Sequence, residues 1–259
     1  MSTAIEKIHN AARTADAKIL DQRLYYDSDL HLFDLVDSTQ GRKGYFDVPL
    51  RNIIALGRRD FWEYGDSWRD ATLRLHGRSW SGKVFPYFEG ALEEKPFPAD
   101  ESLYQLRLTC IGGACECGNG NHRLVAAKAW LAAQYGDAAS LKKAKVSHYP
   151  IRADIKPILD EAQNRDECLW ISPVGFHQRS FTRVGDEAVN AFYRLGDTNQ
   201  YLWASTDSAV FRVRDSRTWV QKCLPWLDRN TQPLRDWDML PKEVVNAILD
   251  DAWVPRAGA

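Results

Sequence analysis

The run Cys115-Glu116-Cys117-Gly118-Asn119-Gly120-Asn121-His122-Arg123 places two glycines, two asparagines, a histidine and an arginine directly before the apolar stretch Leu124 to Leu131. This order predicts a strand, a glycine-bounded turn and a helix that opens on His122 and Arg123. The first turn of a helix leaves backbone N–H groups unpartnered and carries the positive end of the macrodipole, so an anion can dock there. Gly118 and Gly120 permit positive φ and close approach of a ligand, while Asn119 and Asn121 tolerate the left-handed region and can donate from their amides. Arg123 adds a planar fork of donors suited to phosphate or carboxylate. His122 titrates near neutrality and can act as a phosphate donor or a general acid or base, with the helix N-terminus pushing its pKa down. An ordinary turn has the same composition. A cation in the first helical turn works against the dipole, however, so this polar pair has another reason to be there, and an oxyanion cradle is the sharper expectation.

Two other chemistries compete for the same residues. Cys110, Cys115, Cys117 and His122 offer four zinc ligands, but zinc sites usually begin with Cys-x(2–4)-Cys, and Cys-x-Cys fits that poorly. Cys115 and Cys117 lie on one face of a strand and serve equally well as small core residues. Cys117 stands close to a helix N-terminus that would lower its pKa and make it a nucleophile; a buried inert thiol is the alternative. The chain has no G-x-x-x-x-G-K-[ST], no H-E-x-x-H and no serine-centred nucleophile elbow, and Gly118-Asn119-Gly120 is too short for a dinucleotide fingerprint.

The elements that must position this run are read from periodicity. Leu103 to Cys110 alternates, Ile111-Gly112-Gly113 turns and Ala114 to Cys117 returns, which predicts a hairpin whose second arm feeds the glycine turn. The helix runs from His122 to Tyr135 with Gly136 as its stop, and Val146 to Ile151 is a following strand. Upstream, residues 3 to 24 predict an amphipathic helix capped by Ser2 or Thr3, Leu30 to Val36 a strand, Tyr45 to Leu50 a short strand closed by proline, and Asp60 to Leu75 a rough helix with mixed charges. The aromatic-rich stretch Gly77 to Ala99 reads as an ordered loop packed by its own side chains. Beyond a junction at Pro150 to Pro157, helices are expected at Ile158 to Leu169 and Glu187 to Leu195. A turn-rich segment from Ser172 to Asp186 and a hairpin from Tyr201 to Ala204 and Val210 to Val213 complete the middle. The last third, Thr218 to Trp253, reads as mostly helical, with Trp219, Leu224, Trp226, Leu227, Leu240, Val244, Val245 and Ile248 in its core.

Composition bounds the rest. A chain of 259 residues with 44% hydrophobic and 27% charged residues affords a sizeable core and one or two domains. The net charge of −1 gives no general pull toward nucleic acid or anionic membrane. Ten each of Trp, Tyr and Phe are enough to fill a core and line a stacking pocket. With no signal-like start, no bilayer-spanning apolar run and an odd count of five cysteines, a cytoplasmic protein without a membrane partner is expected.

Gly120-Asn121-His122-Arg123 followed by an Ala-rich helix resembles the signature of the ParB/sulfiredoxin-like superfamily, in which a G-x-H-R loop binds nucleotide phosphates at a helix N-terminus. Val48-Pro49-Leu50-Arg51-Asn52-Ile53 is similar to the V-P-L-x-x-I entry strand of ParB-type domains, and Val146 to Ile151 matches the strand after the motif helix. The likeness covers about residues 45–151. It implies an α+β fold with a small mixed sheet and helices over 45–151; outside that span periodicity alone gives the reading, with a helix and strand extension in 1–44. Residues 152–259 would form a mainly helical C-terminal region with a β-hairpin. The likeness further implies that Gly120, Asn121, His122 and Arg123 bind the phosphates of ATP or CTP with Mg2+; Gly118 and Asn119, of the same glycine turn, complete the expected binding loop. His122, Asp60 and Glu63, with Asp66, are the candidate groups for hydrolysing or transferring the terminal phosphate. The chain departs from sulfiredoxin, which has cysteine at the position of Asn121, and so from sulfinic-acid reduction. Partition proteins carry G-E-R-R-x-R-A; here Gly120, Arg123 and Ala126 fit, and Asn121, His122 and Val125 replace Glu, Arg and Arg.

The resemblance also admits a DNA-binding protein or nuclease whose loop grips a backbone phosphate, marked by steep salt dependence. A third reading is a protein-interaction module with a vestigial phosphate site and Trp203, Trp219, Trp226 and Trp253 as contacts.

Overall fold

A computed structural model of the chain describes residues 2–77, 79–99, 104–173, 183–184, 186–196, 202–213 and 237–255. The chain divides into two compact units, Met1–Ile151 with Ala247–Ala259, and Arg152–Asn246. The fold is α+β, and among the described residues six α-helices accompany its sheets.

The first unit is built on a six-stranded mixed sheet in the order β1-β3-β5-β4-β6-β2. The strands are β1 (Tyr25–Tyr26), β2 (Arg42–Pro49), β3 (Ile53–Leu56), β4 (Arg107–Ile111), β5 (Ala114–Asn119) and β6 (Ser140–Tyr149). β1, β3 and β5 run parallel, so their carboxyl ends emerge on one edge of the sheet. β4 returns antiparallel to β5 through a turn in which Gly112 has φ +52°. β3 and the first four residues of β5 are buried throughout, as central strands covered on both faces must be.

Helices α1 (Ala4–Thr14), α2 (Trp68–Leu73), α3 (Val84–Glu89) and α4 (Asn121–Tyr135) belong to this unit. Ile8 and Ala12 of α1 and Leu124, Val125 and Leu131 of α4 pack in one core with Ile53, Leu56, Leu108, Cys115 and Cys117 of the sheet. α4 forms because alanine and leucine dominate it, and Gly120 (φ +93°) and Gly136 (φ +59°) bracket it. Its Lys128 is wholly buried, donates from Nζ to the Ile53 carbonyl at 3.0 Å and lies 3.8 Å over the Trp68 ring. The aromatic stretch is ordered as expected: Phe97 packs against Trp80 at 5.2 Å and Tyr87 at 5.1 Å, and Phe85 against Trp130 at 4.1 Å. Within it α3 is a helix that sequence pattern alone did not disclose.

In the second unit, β7 (Leu169–Pro173), β10 (Ala191–Leu195), β11 (Leu202–Ser205), β12 (Val210–Arg212) and β13 (Asp238–Leu240) form an antiparallel sheet in the order β12-β11-β10-β7-β13. β8 (Arg183–Val184) and β9 (Glu187–Ala188) make a separate two-stranded ribbon, and α5 (Lys156–Arg165) precedes β7. α6 (Lys242–Leu249) follows β13.

Several expectations are corrected. Among the described residues of 152–259 a five-stranded sheet stands where mostly helix was expected, and the expected hairpin is present as β11 and β12. Within Glu187–Leu195 the chain forms the short strand β9 and then β10, because Val189, Ala191, Tyr193 and Leu195 are buried with period two and that spacing outweighs the helix-forming composition. Leu30–Val36 contains a 3-10 turn at Leu32–Leu35 instead of a strand. The N-terminal helix stops at Thr14, capped by Thr3 with Glu6 in a reciprocal box, and Ile19 is buried from a separate 3-10 turn. Only Trp68–Leu73 of the segment 60–75 is helical. Trp219, Leu224, Trp226 and Leu227 lie outside the described residues. No helix among the described residues is long and apolar enough to cross a membrane.

Candidate anion-binding site

The carboxyl ends of three parallel strands carry the groups of interest. β1 leads to Asp27, β3 to Gly57-Arg58-Arg59-Asp60, and β5 to the glycine turn and α4. Ligands of open α/β sheets bind at such an edge because helix N-termini and loop amides face it.

At its centre Gly120 takes the left-handed conformation as N-cap of α4, and no side chain among the described residues caps this terminus. There is no acidic residue in the first turn of the helix, so the exposed dipole end keeps its positive character. Gly118 is exposed with open space where a Cβ would be. A ligand can therefore reach the backbone here.

The polar side chains of the motif divide into two groups. Asn119 donates from Nδ2 to the Gln105 carbonyl at 2.6 Å, and Asn121 is buried and accepts at Oδ1 from the Gly57 N–H at 3.1 Å. Arg123 is likewise buried: Nη1 donates to the Tyr104 carbonyl at 2.6 Å and the guanidinium lies 5.3 Å from the Phe97 ring centre. These three side chains tie the loop to β3 and to the aromatic stretch. His122 points the other way and is exposed, its ring edge-on to Phe61 at 4.2 Å. Packing on that side desolvates the imidazole and lowers its pKa; Arg58 also lowers it, and Asp60 opposes them. Desolvation thus disfavours the charged imidazolium at His122.

The candidate carboxylates separate as well. Glu63 and Asp66 are both paired with Arg74, at 2.6 and 3.2 Å, in a cluster that fixes the turn before α2. Asp60 is exposed and near enough for its charge to be felt at His122, and it makes no ion pair with Lys or Arg among the described residues. Of the three, the structure brings Asp60 alone to the loop. Among the described residues no three His, Cys, Asp or Glu side chains converge as a ready-made metal site.

Arg58 and Arg59 are exposed cations that the motif did not point to. Arg59 stacks near Tyr26 at 5.6 Å and Trp62 at 5.9 Å, while the Arg58 carbonyl accepts from Trp62 Nε1 at 2.6 Å. The signal was their place directly after a buried parallel strand.

The cysteines resolve differently from both rival chemistries. Cys110 and Cys115 face each other across the β4–β5 hairpin and form a disulfide, which removes them from any zinc set. Cys117 is wholly buried, and burial pushes its thiol up to about 12, so the nucleophile reading gives way to an inert core thiol.

Comparison with protein-family models, with curated proteins and with solved structures finds no match to this chain.

Proposed function

We propose that the chain binds a nucleoside triphosphate, ATP or CTP with Mg2+, at the carboxyl edge of β1, β3 and β5, and hydrolyses or transfers its terminal phosphate. The observation that carries this reading is the uncapped N-terminus of the 15-residue α4 behind a left-handed glycine, with no acid in its first turn. The mixed sheet and the strand–glycine turn–helix order support a ParB/sulfiredoxin-like assignment for residues 45–151. In this assignment the backbone of Gly118 to Gly120 and the first N–H groups of α4 hold the phosphates. Arg58 and His122 approach from the sides, and Asp60 takes the metal-facing or proton-accepting role. Asn119, Asn121 and Arg123 act by holding the loop in shape. A magnesium ion arriving with the nucleotide supplies charge neutralisation at the phosphates.

The test is a thermal-shift panel of ATP, CTP, GTP and UTP with magnesium, with duplex and single-stranded DNA as a further arm. A ligand at a hundred times its Kd adds about 2.7 kcal/mol of stability, a shift of a few degrees for a domain of this size. ATP or CTP is expected to raise the melting temperature, and Arg58→Ala and His122→Ala to remove the rise. A rise with DNA alone, falling steeply with salt, would move the assignment to a backbone-phosphate grip.

A further inference from the structure

Glu116 is the anomaly of the first unit. It sits in the middle of β5, is only 7% exposed, and its carboxyl makes no hydrogen bond among the described residues. A carboxylate in such a place is costly unless something pairs with it. It lines a cavity of about 260 Å3 whose wall also includes Asp27, Ser28, His31, Phe33 and Asp34.

The cavity concentrates negative charge. Asp27, which accepts from Ser28 Oγ at 3.1 Å, is close enough for its charge to be felt at Glu116, and no cation among the described residues offsets it there. Room for the Asp27 carboxylate is made by Gly57, where a Cβ would stand 3.0 Å from Oδ2. His31 is held in the left-handed region at φ +48°, a conformation unfavourable for a non-glycine residue, with Nδ1 4.0 Å from Asp34 Oδ2. Phe33, 55% exposed, contributes an aromatic face to the same wall.

We propose that this cavity is a binding site for a small organic ammonium ion, a primary amine or diamine. An ammonium group donates three hydrogen bonds and so can meet Glu116 and Asp27 together, while its alkyl part lies against Phe33. A bare divalent ion suits the cavity less well, since its acidic groups are spread around the wall and do not converge as ligands. The proposal does not rest on the nucleotide reading and is tested without nucleotide.

The experiment is calorimetric titration of the full chain at about pH 8 with putrescine, with butanediol as the uncharged isostere and magnesium chloride as the metal arm. Putrescine is expected to bind about tenfold or more tightly than butanediol, and Glu116→Gln to weaken it by a similar factor. If Glu116→Gln does not fold, Asp27→Asn on the turn after β1 makes the same comparison. Equal binding of amine and diol, putrescine binding that neither variant weakens, or displacement of putrescine by magnesium would each overturn the proposal.

Discussion

At the residue scale, orientation decides more than identity. Arg123 and His122 are neighbours with similar chemistry on paper, yet one is buried under Phe97 and bonded to the Tyr104 carbonyl while the other is exposed. Arg123→Ala should therefore destabilise the fold by about 2 kcal/mol, because a charge-assisted hydrogen bond and the packing of a buried guanidinium against Phe97 are lost. His122→Ala should leave stability within about 0.5 kcal/mol. Chemical denaturation of the two variants checks the pair. Glu116 gives a pH prediction. Burial, aided by the negative charge of Asp27, raises its carboxyl from 4.5 to about 7. A group whose folded pKa exceeds its unfolded value contributes stability that is complete below the unfolded pKa and lost as pH rises through the folded one. Relative to wild type, Glu116→Gln should thus gain on the order of 3 kcal/mol at about pH 8 and nothing at about pH 4, measured by urea unfolding at both. The strand–turn–helix that carries the candidate site was legible in the sequence, since glycines and asparagines set directly before an apolar helical run mark a turn and a helix start. Which of them turn inward was not, because Tyr104, Phe97 and Gly57 reach the loop from separate elements and spacing carries no trace of them.

At the element scale, the hairpin and motif helix were legible because glycines punctuate them: Gly112 makes the turn between β4 and β5, and Gly120 and Gly136 bound α4. Two of the motif glycines differ in kind, and that yields a discriminating pair. Gly120→Ala must adopt φ +93° and should cost about 1–2 kcal/mol. Gly118→Ala enters open space and should leave stability within about 0.5 kcal/mol, while placing a methyl group in the proposed phosphate cradle. Thermal melts of both variants, with and without nucleotide, separate the structural glycine from the ligand-facing one. Elements without such punctuation are set by tertiary contacts that local pattern does not carry. Leu30–Val36 looked like alternation, yet the chain there curls into a 3-10 turn that carries His31 at positive φ. In Glu187–Leu195 the tertiary demand of a sheet face overrode helix-forming residues.

At the scale of the whole molecule, the grouping of Ala247–Ala259 with Met1–Ile151 follows from contacts distant in sequence: Trp253 Nε1 donates to the Gly113 carbonyl at 3.2 Å, and Asn52 Nδ2 to the Asp250 carbonyl at 3.1 Å. No local pattern announces such returns. The same holds for the cysteines, whose count allowed a pair without saying which, until the hairpin register set Cys110 opposite Cys115. Alkylation of the native, unreduced protein followed by peptide mapping should modify the partly exposed Cys168 and leave the buried Cys117 unlabelled. Rapid labelling of Cys117 would contradict its place in the core. The account as a whole rests on the open N-terminus of α4 being a phosphate site. It is tested most directly by the melting temperature of the protein with ATP or CTP and magnesium, against the same measurement on Arg58→Ala. A rise of several degrees in the wild type that the variant lacks is the predicted result; no rise with any nucleoside triphosphate would contradict it.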